Sequence, residues 1–590
     1  MVLRAALIVG LVVGLSALDA DRSWAQTTDV TTLSLEDLLR TQVGGLVTQV
    51  DEALMRTPFS VFVVGREDIV RSGADTLADL LRIVPGLWVA QVDATTWEVT
   101  SRGSGALVVL LDGHLMASPL FGGLHWDMMT FPLREIERVE VVRGASGASW
   151  GVNGMTTAIS IVTRSWEGTA GGLLTAGAGS SHQGKTTARY VGRMGQRGVV
   201  RVHTGFTRYA SGLRVSTFDS PDSARVGLGD VRLQWRNTAD AVGLRASFQR
   251  AESYHLSSAD PAGAGVIREP LSFVDGNAAG SWVRTLSDDS EIVVQGQYRA
   301  FHRTTSVSPE RWRVIDGDVK WRRSIGSHSV SSGAGYRFGA VGADERIHTV
   351  SMFVQDDITL ARGVTMTPGA TFDRTPFTGI EAQPTLRIMW QPTATQAVWS
   401  AASRGVGTVT RRVPFYAAPD DRPDYQYALV TEYEAGYRTQ AGPASVDVAA
   451  FVTAREDRHP SRVVDTVPDV RGAELAARWQ PSALWGVSGS YAALSSGRLQ
   501  HRFHLRTIGG LPRQVEVTAD LFRVSAADGG RTPAYTRLDA RVEREFGARI
   551  ELSAGVRNLL HANALEAPIE SSRIAVPVRR SAFVELEWQF

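Results

Sequence analysis

The chain has 590 residues, with 62 basic against 61 acidic side chains, a formal net charge of +1 and no cysteine. Near-neutral charge gives no electrostatic footprint for nucleic acid, and without cysteine there is neither a disulfide framework nor thiolate metal binding or catalysis. At this length the chain holds either several ordinary domains or one large barrel carrying an additional domain.

Arg4 precedes an apolar run from Ala5 to Leu18, and the polar stretch after it ends in Ser23-Trp24-Ala25. This reads as a secretory signal peptide over residues 1–25. The alternative, a single membrane anchor, needs roughly 20 apolar residues, more than the run supplies. Residues 26–52 follow as an N-terminal segment, residues 53–165 as a small α+β domain and residues 166–590 as a strand-rich region.

In the α+β part, "SVFVVG" (60–65) reads as a strand and "REDIVRSG" (66–73) as a short helix stopped by Gly73. In "DTLADLLRIVPG" (75–86), Asp75 is the expected N-cap and Pro85-Gly86 the terminator of a helix. "LVVLLDGHLM" (107–116) is a strand with an Asp-Gly turn, and "PLREIE" (132–137) starts with Pro at a first helical position. "RVEVVRG" then returns to strand, and the glycine-rich "GASGASWGVNG" (144–154) follows it. A phosphate loop needs a Lys after its glycines, and none is present. The glycines are better read as allowing sharp turns and close packing.

From about residue 170 the helical period gives way to alternation. In "VGLRASFQ" (242–249), Val242, Leu244, Ala246 and Phe248 share one face and Arg245, Ser247 and Gln249 the other. "EIVVQGQYRA", "SVDVAAFVT" and "RIELSAGVRN" repeat the period. A soluble sandwich also alternates, but many segments of roughly ten residues suit tilted membrane strands. The last strand, "SAFVELEWQF", sets Ala582, Val584, Leu586, Trp588 and Phe590 against Phe583, Glu585 and Glu587, so its apolar face ends in aromatics. The expected fold is a closed membrane all-β barrel behind a globular domain.

With these residues in view, "LREIERVEVVRGASGASWGVNGMTTAISIVTR" resembles the end of the plug domain of TonB-dependent outer-membrane receptors. "TPFSVFVVGREDIVRSGADTLADLLRIVPGLWV" and "LVVLLDGHLM" resemble earlier parts of that plug. "SMFVQDDITL", "EYEAGYR", "RGAELAARWQP" and "GVRNLLHAN" are similar to barrel strands of the family. The resemblance implies about 22 antiparallel strands around a plug, a cell outer-membrane location, a monomer in lipid, and energised uptake of a small molecule or metal chelate. A ferric siderophore is the first expectation; cobalamin, haem, a glycan or a passive, adhesive barrel are the alternatives. The resemblance also implies a partner, TonB with its inner-membrane energising complex, pulling a segment near the mature N-terminus.

For that segment the best match is "QVGGLVTQV" (42–50), with Val43, Leu46 and Val47 as TonB contacts; "TTLSLEDLLR" (31–40) is second. Arg102 and Arg143 fall at family plug positions, with Glu434 and Glu474 as wall partners that lock the plug. Solvated arginines in a wet lumen are the alternative. Apical plug loops are expected to hold the ligand contacts Trp97, His114, Phe121, His125 and Trp126. His501 and His504 are spaced by three, which on a strand puts them on opposite faces. With no paired carboxylates, nucleophile–base set or metal cluster, neither enzyme activity, a metal nor a cofactor is expected. The strand arithmetic leaves brief loops around strands of roughly ten residues.

Overall fold

The computed structural model describes Gln42–Val43, Glu52–Ala53, Met55 and residues 57–590 apart from 106, 120–122, 127–129, 145–156, 165–168, 211–221, 259–265, 306–308, 344, 377, 413–423, 460–461, 483, 496–498, 527–531 and 568–574. Twenty-two antiparallel strands close into a barrel that begins at Gly171–Gly179 and ends at Ser581–Gln589. Those two strands pair with each other, Leu174 opposite Trp588 and Ala178 opposite Val584, so no edge is left open.

Alternation decides which way each strand faces. On Gly198–Tyr209, Arg201 and His203 are buried toward the lumen while Val202 and Phe206 are exposed on the outer face. The outer face can remain apolar because lipid, rather than water, surrounds it.

Most strands are longer than bilayer crossing requires, which corrects the expectation of about ten residues. Strand lengths run from 8 residues at Ile550–Arg557 to 22 at Val266–Ser287. At about 3.3 Å per residue, the longest extends well beyond the roughly 30 Å hydrocarbon layer. Continuing the ladder satisfies the backbone groups of residues that would otherwise be loop. The two rims differ: one has tight connections such as 195–197 and 288–289, and the other has the longer connections 210–223 and 558–580. Outer-membrane barrels keep short turns on the periplasmic side, which orients this one.

The plug fills the lumen. Its sheet orders Ser60–Gly65, Ile136–Arg143, Thr157–Thr163, Val108–Leu111 and His114–Leu115, with Thr157–Thr163 and Val108–Leu111 parallel. A separate hairpin pairs Leu87–Gln91 with Trp97–Ser101. The short helices Arg66–Arg71 and Leu77–Leu80 pack on the sheet, burying Ile69, Leu77 and Leu80 against Val139, Ile159 and Ile161.

Two local expectations are corrected. Thr76, not Asp75, caps the second helix, its Oγ1 accepting from the Asp79 amide at 3.1 Å. Asp75 faces the barrel wall and pairs there with Arg557. "PLREIE" makes only a 3₁₀ turn at Leu133–Glu135, and Ile136 already belongs to the strand. Its β-branched successors Val139, Val141 and Val142 favour extending the strand over a helix.

Candidate functional site: the plug against the barrel wall

Ser101 and Ser104 exchange backbone hydrogen bonds of 2.8 and 2.9 Å around a two-residue turn. Arg102 and Gly103 both sit in the left-handed region, at φ 48° and 78°. Such turns favour Asn-Gly or Gly-Gly, so an arginine at the first position holds an uncommon backbone conformation. Its side chain explains why it is placed there.

The Arg102 guanidinium is fully buried and donates to three wall carboxylates: Glu432 at 2.6 Å, Glu434 at 3.1 Å and Glu474 at 3.2 Å. Phe451 lies under it, 4.0 Å from ring centre to guanidinium carbon. Arg143 reaches the same Glu474 at 2.9 Å and donates to the Pro85 carbonyl. Ser60 and Thr453 donate to Glu474 and Glu432. Burial alone would lower the Arg102 pKa, but the three carboxylates more than reverse that and raise it above the ordinary arginine value.

The wall geometry follows from strand period. Glu432 and Glu434 lie two apart on Asp424–Ala441 and so share the lumen face. Phe451 stands opposite Glu434 on the next strand, and Glu474 comes from the strand after that. Gly86 and Gly144 complete the arrangement. A Cβ at Gly144 would sit 2.7 Å from Glu432 Oε1, and one at Gly86 would collide with Glu474 Oε1. Both glycines also have positive φ, 79° and 112° in chain order.

Further ion pairs bind the plug helices to the wall. Asp68 meets Arg478 at 2.7 Å and Arg506 at 3.1 Å; Asp79 meets Arg537 at 3.1 Å. Burial opposes ionisation of Asp68 and Asp79, yet the facing guanidiniums win and lower each to about 2. Arg134 pairs with Glu551 at 2.7 Å and Arg71 with Glu516 at 2.8 Å. At the plug's N-terminal entry, Arg438 donates to the Thr57 and Phe59 carbonyls and Gln391 to that of Met55. The Met55 side chain packs with Met389, Ala397, Trp399 and Ala449.

The structure thus brings Arg102, Arg143, Glu434 and Glu474 into one cluster and adds Glu432. "EYEAGYR" carried the signal for Glu432, since an i, i+2 pair on a strand shares a face. The ion pairs of Asp68, Asp79, Arg71 and Arg134 had no sequence signal, because partners more than 400 residues apart meet only through the closed barrel.

The expected ligand contacts divide. His125 lies near the long-loop rim, with Nε2 3.0 Å from Glu310 and its ring stacked on Phe301 at 5.8 Å. Trp97 lines a cavity of about 200 Å³ between the plug hairpin and the wall, together with Ser180, Ser181, Tyr209 and Asn558. Trp97 is 8% exposed, its Nε1 has no hydrogen-bond partner among the described residues, and Arg82 lies 5.2 Å over the ring. Trp126 packs partly buried against the plug core.

His114 does not sit on an apical loop. It follows the Asp112-Gly113 turn, whose Asp112 pairs with Arg232 only four residues from the short-turn end of its strand. The parallel pairing of Val108–Leu111 with Thr157–Thr163 carries that turn toward the short-turn rim. Burial there lowers the His114 pKa. Phe121, Leu46 and Val47 lie outside the described residues. Val43 belongs to a two-residue strand, Gln42–Val43, paired with Glu52–Ala53. His501 and His504 do face opposite ways: His501 meets Tyr491 on the outer side, and His504 meets Asp520 in the buried lumen wall.

Residues 53–157 match the family model described as TonB-dependent Receptor Plug Domain, and residues 163–559 match TonB dependent receptor-like, beta-barrel. The chain belongs to the TonB-dependent receptors. Its place is therefore the cell outer membrane, and the family comprises transporters and receptors. Among solved structures, the siderophore receptor PirA from Acinetobacter baumannii superposes with a TM-score of 0.76 at 12% identity, covering 95% of this chain and 100% of that one. The ferric yersiniabactin uptake receptor FyuA from Yersinia pestis gives 0.74 at 15% identity, covering 90% and 98%. At these identities the likeness is one of fold. A vitamin B12 transporter, BtuB of Vibrio vulnificus, is 30% identical over 160 residues, 26% of each chain. The chain spans about a quarter of the length of the curated relatives it matches.

Proposed function

We propose that this receptor binds a scarce extracellular ligand, a ferric siderophore or similar metal chelate, and releases it to the periplasm when force rearranges the plug. Arg102 carries this reading. A guanidinium held in an uncommon backbone turn among three wall carboxylates keeps the plug closed at rest. Removing one partner of such a buried cluster is costly, so the closed state resists opening without applied work. A ligand bound at nanomolar affinity, about 12 kcal/mol, leaves slowly unless its site is dismantled.

TonB and its inner-membrane complex supply that work by pairing with residues 42–50 as an added strand, with Val43, Leu46 and Val47 as the contacting side chains. The wall carboxylates and plug arginines act as the lock. Trp97, His125 and Trp126 are the ligand contacts retained, and the cavity that Trp97 lines supports that role for Trp97. A cobalamin is the second reading, favoured by the match to the vitamin B12 transporter.

Uptake and growth under scarcity test both readings, across ferric siderophores, haem and cobalamin, in cells lacking the gene and in cells lacking only residues 42–50. One ligand should fail to enter in both strains while the shortened protein still binds it. Uptake that survives loss of residues 42–50 rejects the pulling segment and favours a passive barrel.

A further inference from the structure

The cavity that Trp97 lines is bounded by both parts of the molecule. Asp93, Ala94 and Trp97 come from the plug hairpin 87–101, and Ser181, Tyr209 and Asn558 come from the barrel. Ala210, Asp222 and Asn558 belong to the long connections 210–223 and 558–580, which puts the cavity on the extracellular side. Its volume of about 200 Å³ exceeds the roughly 150 Å³ of a cavity that holds benzene and falls short of the roughly 300 Å³ at which sites for drug-sized ligands begin. A substituted six-membered ring fits that interval.

The buried charges around this space are already committed. Asp79 is held by Arg82 at 2.8 Å and Arg537 at 3.1 Å, and Asp75 by Arg557. Asp93 accepts the Thr95 and Thr96 amides at 2.9 and 2.7 Å, and Asp222 accepts the Ala94 amide at 2.9 Å. Arg579 and Arg580 also line the cavity but are exposed, so solvent screens them. An ionic occupant would therefore enter with no buried counter-charge free to receive it.

Two neutral polar atoms on the lining are left over. Trp97 is 8% exposed and Asn558 1%, and neither Trp97 Nε1 nor Asn558 Oδ1 has a hydrogen-bond partner among the described residues. Asn558 Nδ2 donates to the Val578 carbonyl at 3.2 Å, which leaves Oδ1 as the unused end of that amide. A buried donor or acceptor without a partner is unfavourable. Here the donor belongs to the plug and the acceptor to the barrel, so one occupant that serves both ties the two together. A hydroxyl group both accepts and donates, and Ser180, Ser181 and Tyr209 add hydroxyls of their own to the lining.

We propose that this cavity binds a neutral polyhydroxylated six-membered ring, the size of a single sugar, with one hydroxyl accepting from Trp97 Nε1 and another donating to Asn558 Oδ1. The proposal rests on the ligand role given above to Trp97 and names the chemistry recognised there. Ring size follows from the volume, neutrality from the paired charges and the hydroxyls from the two unpartnered atoms. Because the occupant contacts plug and wall together, its binding favours the seated plug.

The full chain in detergent is the material for the test, with glucose and myo-inositol as neutral probes and gluconate and glucosamine as charged ones. Affinity is read by calorimetry and seating of the hairpin by hydrogen exchange over residues 87–101. At least one neutral probe should bind and slow that exchange, and both charged probes should bind at least tenfold more weakly. Trp97→Phe, which keeps a ring and removes only the unpartnered N–H, should melt no lower than wild type yet bind the neutral probe at least fivefold more weakly. Asn558→Gly, which keeps the left-handed turn at φ 52°, should weaken binding likewise. Absence of binding by both neutral probes, as expected of a cavity filled by water only, equal or tighter binding of a charged probe, or unchanged affinity in Trp97→Phe would each overturn the proposal. Sugar binding that fails while chelate uptake proceeds rejects this site alone, whereas sugar binding that persists without chelate uptake upholds the site and rejects the chelate.

Discussion

Arg102 and Glu432 meet across 330 residues of chain, Nη1 to Oε1 at 2.6 Å, with both side chains almost fully buried. The contact leaves three carboxylates dependent on two guanidiniums. Replacing Arg102 with Ala should destabilise plug seating by about 3–5 kcal/mol, the range for breaking a buried ionic cluster. The barrel ladder should be unaffected, so plug amides should exchange faster while barrel amides do not. Adding Glu432→Gln and Glu434→Gln should recover part of the loss; no recovery would show that charge is not the binding element.

Gly144 is the second position on which the cluster depends. Its φ of 112° and the 2.7 Å approach to Glu432 leave no room for a methyl group. Gly144→Ala should cost about 2–3 kcal/mol from backbone strain and displaced carboxylate together. Denaturant unfolding followed by plug-specific exchange measures it, and a change below experimental error would contradict the packing described.

Acid should loosen the plug through Asp68 and Asp79. Both carboxyls are lowered from 3.8 to about 2 by facing arginines. A depressed folded-state pKa adds stability that is present above the unfolded value and lost as pH falls through the folded one. Each shift corresponds to roughly 2 kcal/mol. Stability should be flat from pH 6 to about pH 4 and fall toward pH 2. In the double variant Asp68→Asn, Asp79→Asn the stability at pH 6 should be lower and the acid slope shallower.

Met55 secures the plug entry between Trp399 and Met389. Met55→Ala should remove about 2–4 kcal/mol of local packing. Because the global fold does not depend on this contact, the expected effect is faster proteolysis on the N-terminal side of Phe59, with the melting temperature nearly unchanged. A lowered melting temperature with unchanged cleavage would place the effect elsewhere.

Much of this molecule was legible in advance because alternation and local turn chemistry are short-range. The strand Ser60–Gly65, the Asp112-Gly113 turn and the outward set Ala582, Val584 and Leu586 follow from period and turn preference. Short-range signals failed where a longer contact competed. Asp75 looked like a cap until Arg557 claimed its carboxylate, and Ile136 joined a strand because the plug sheet offered it a partner. His114 was misplaced in height because sequence order does not say toward which rim a plug turn points.

By itself the sequence determined the class of structure: two-residue alternation fixes which side chains meet lipid, and left-handed glycines fix where the chain turns. Only the tertiary structure decided the buried charge cluster between plug and wall. Arg102, Glu432, Glu434 and Glu474 come from two strands and a turn, and no local preference distinguishes their charges from solvated ones. Closing the barrel around the plug removes water from that point, and the loss of water is what makes the pairing of these charges obligatory.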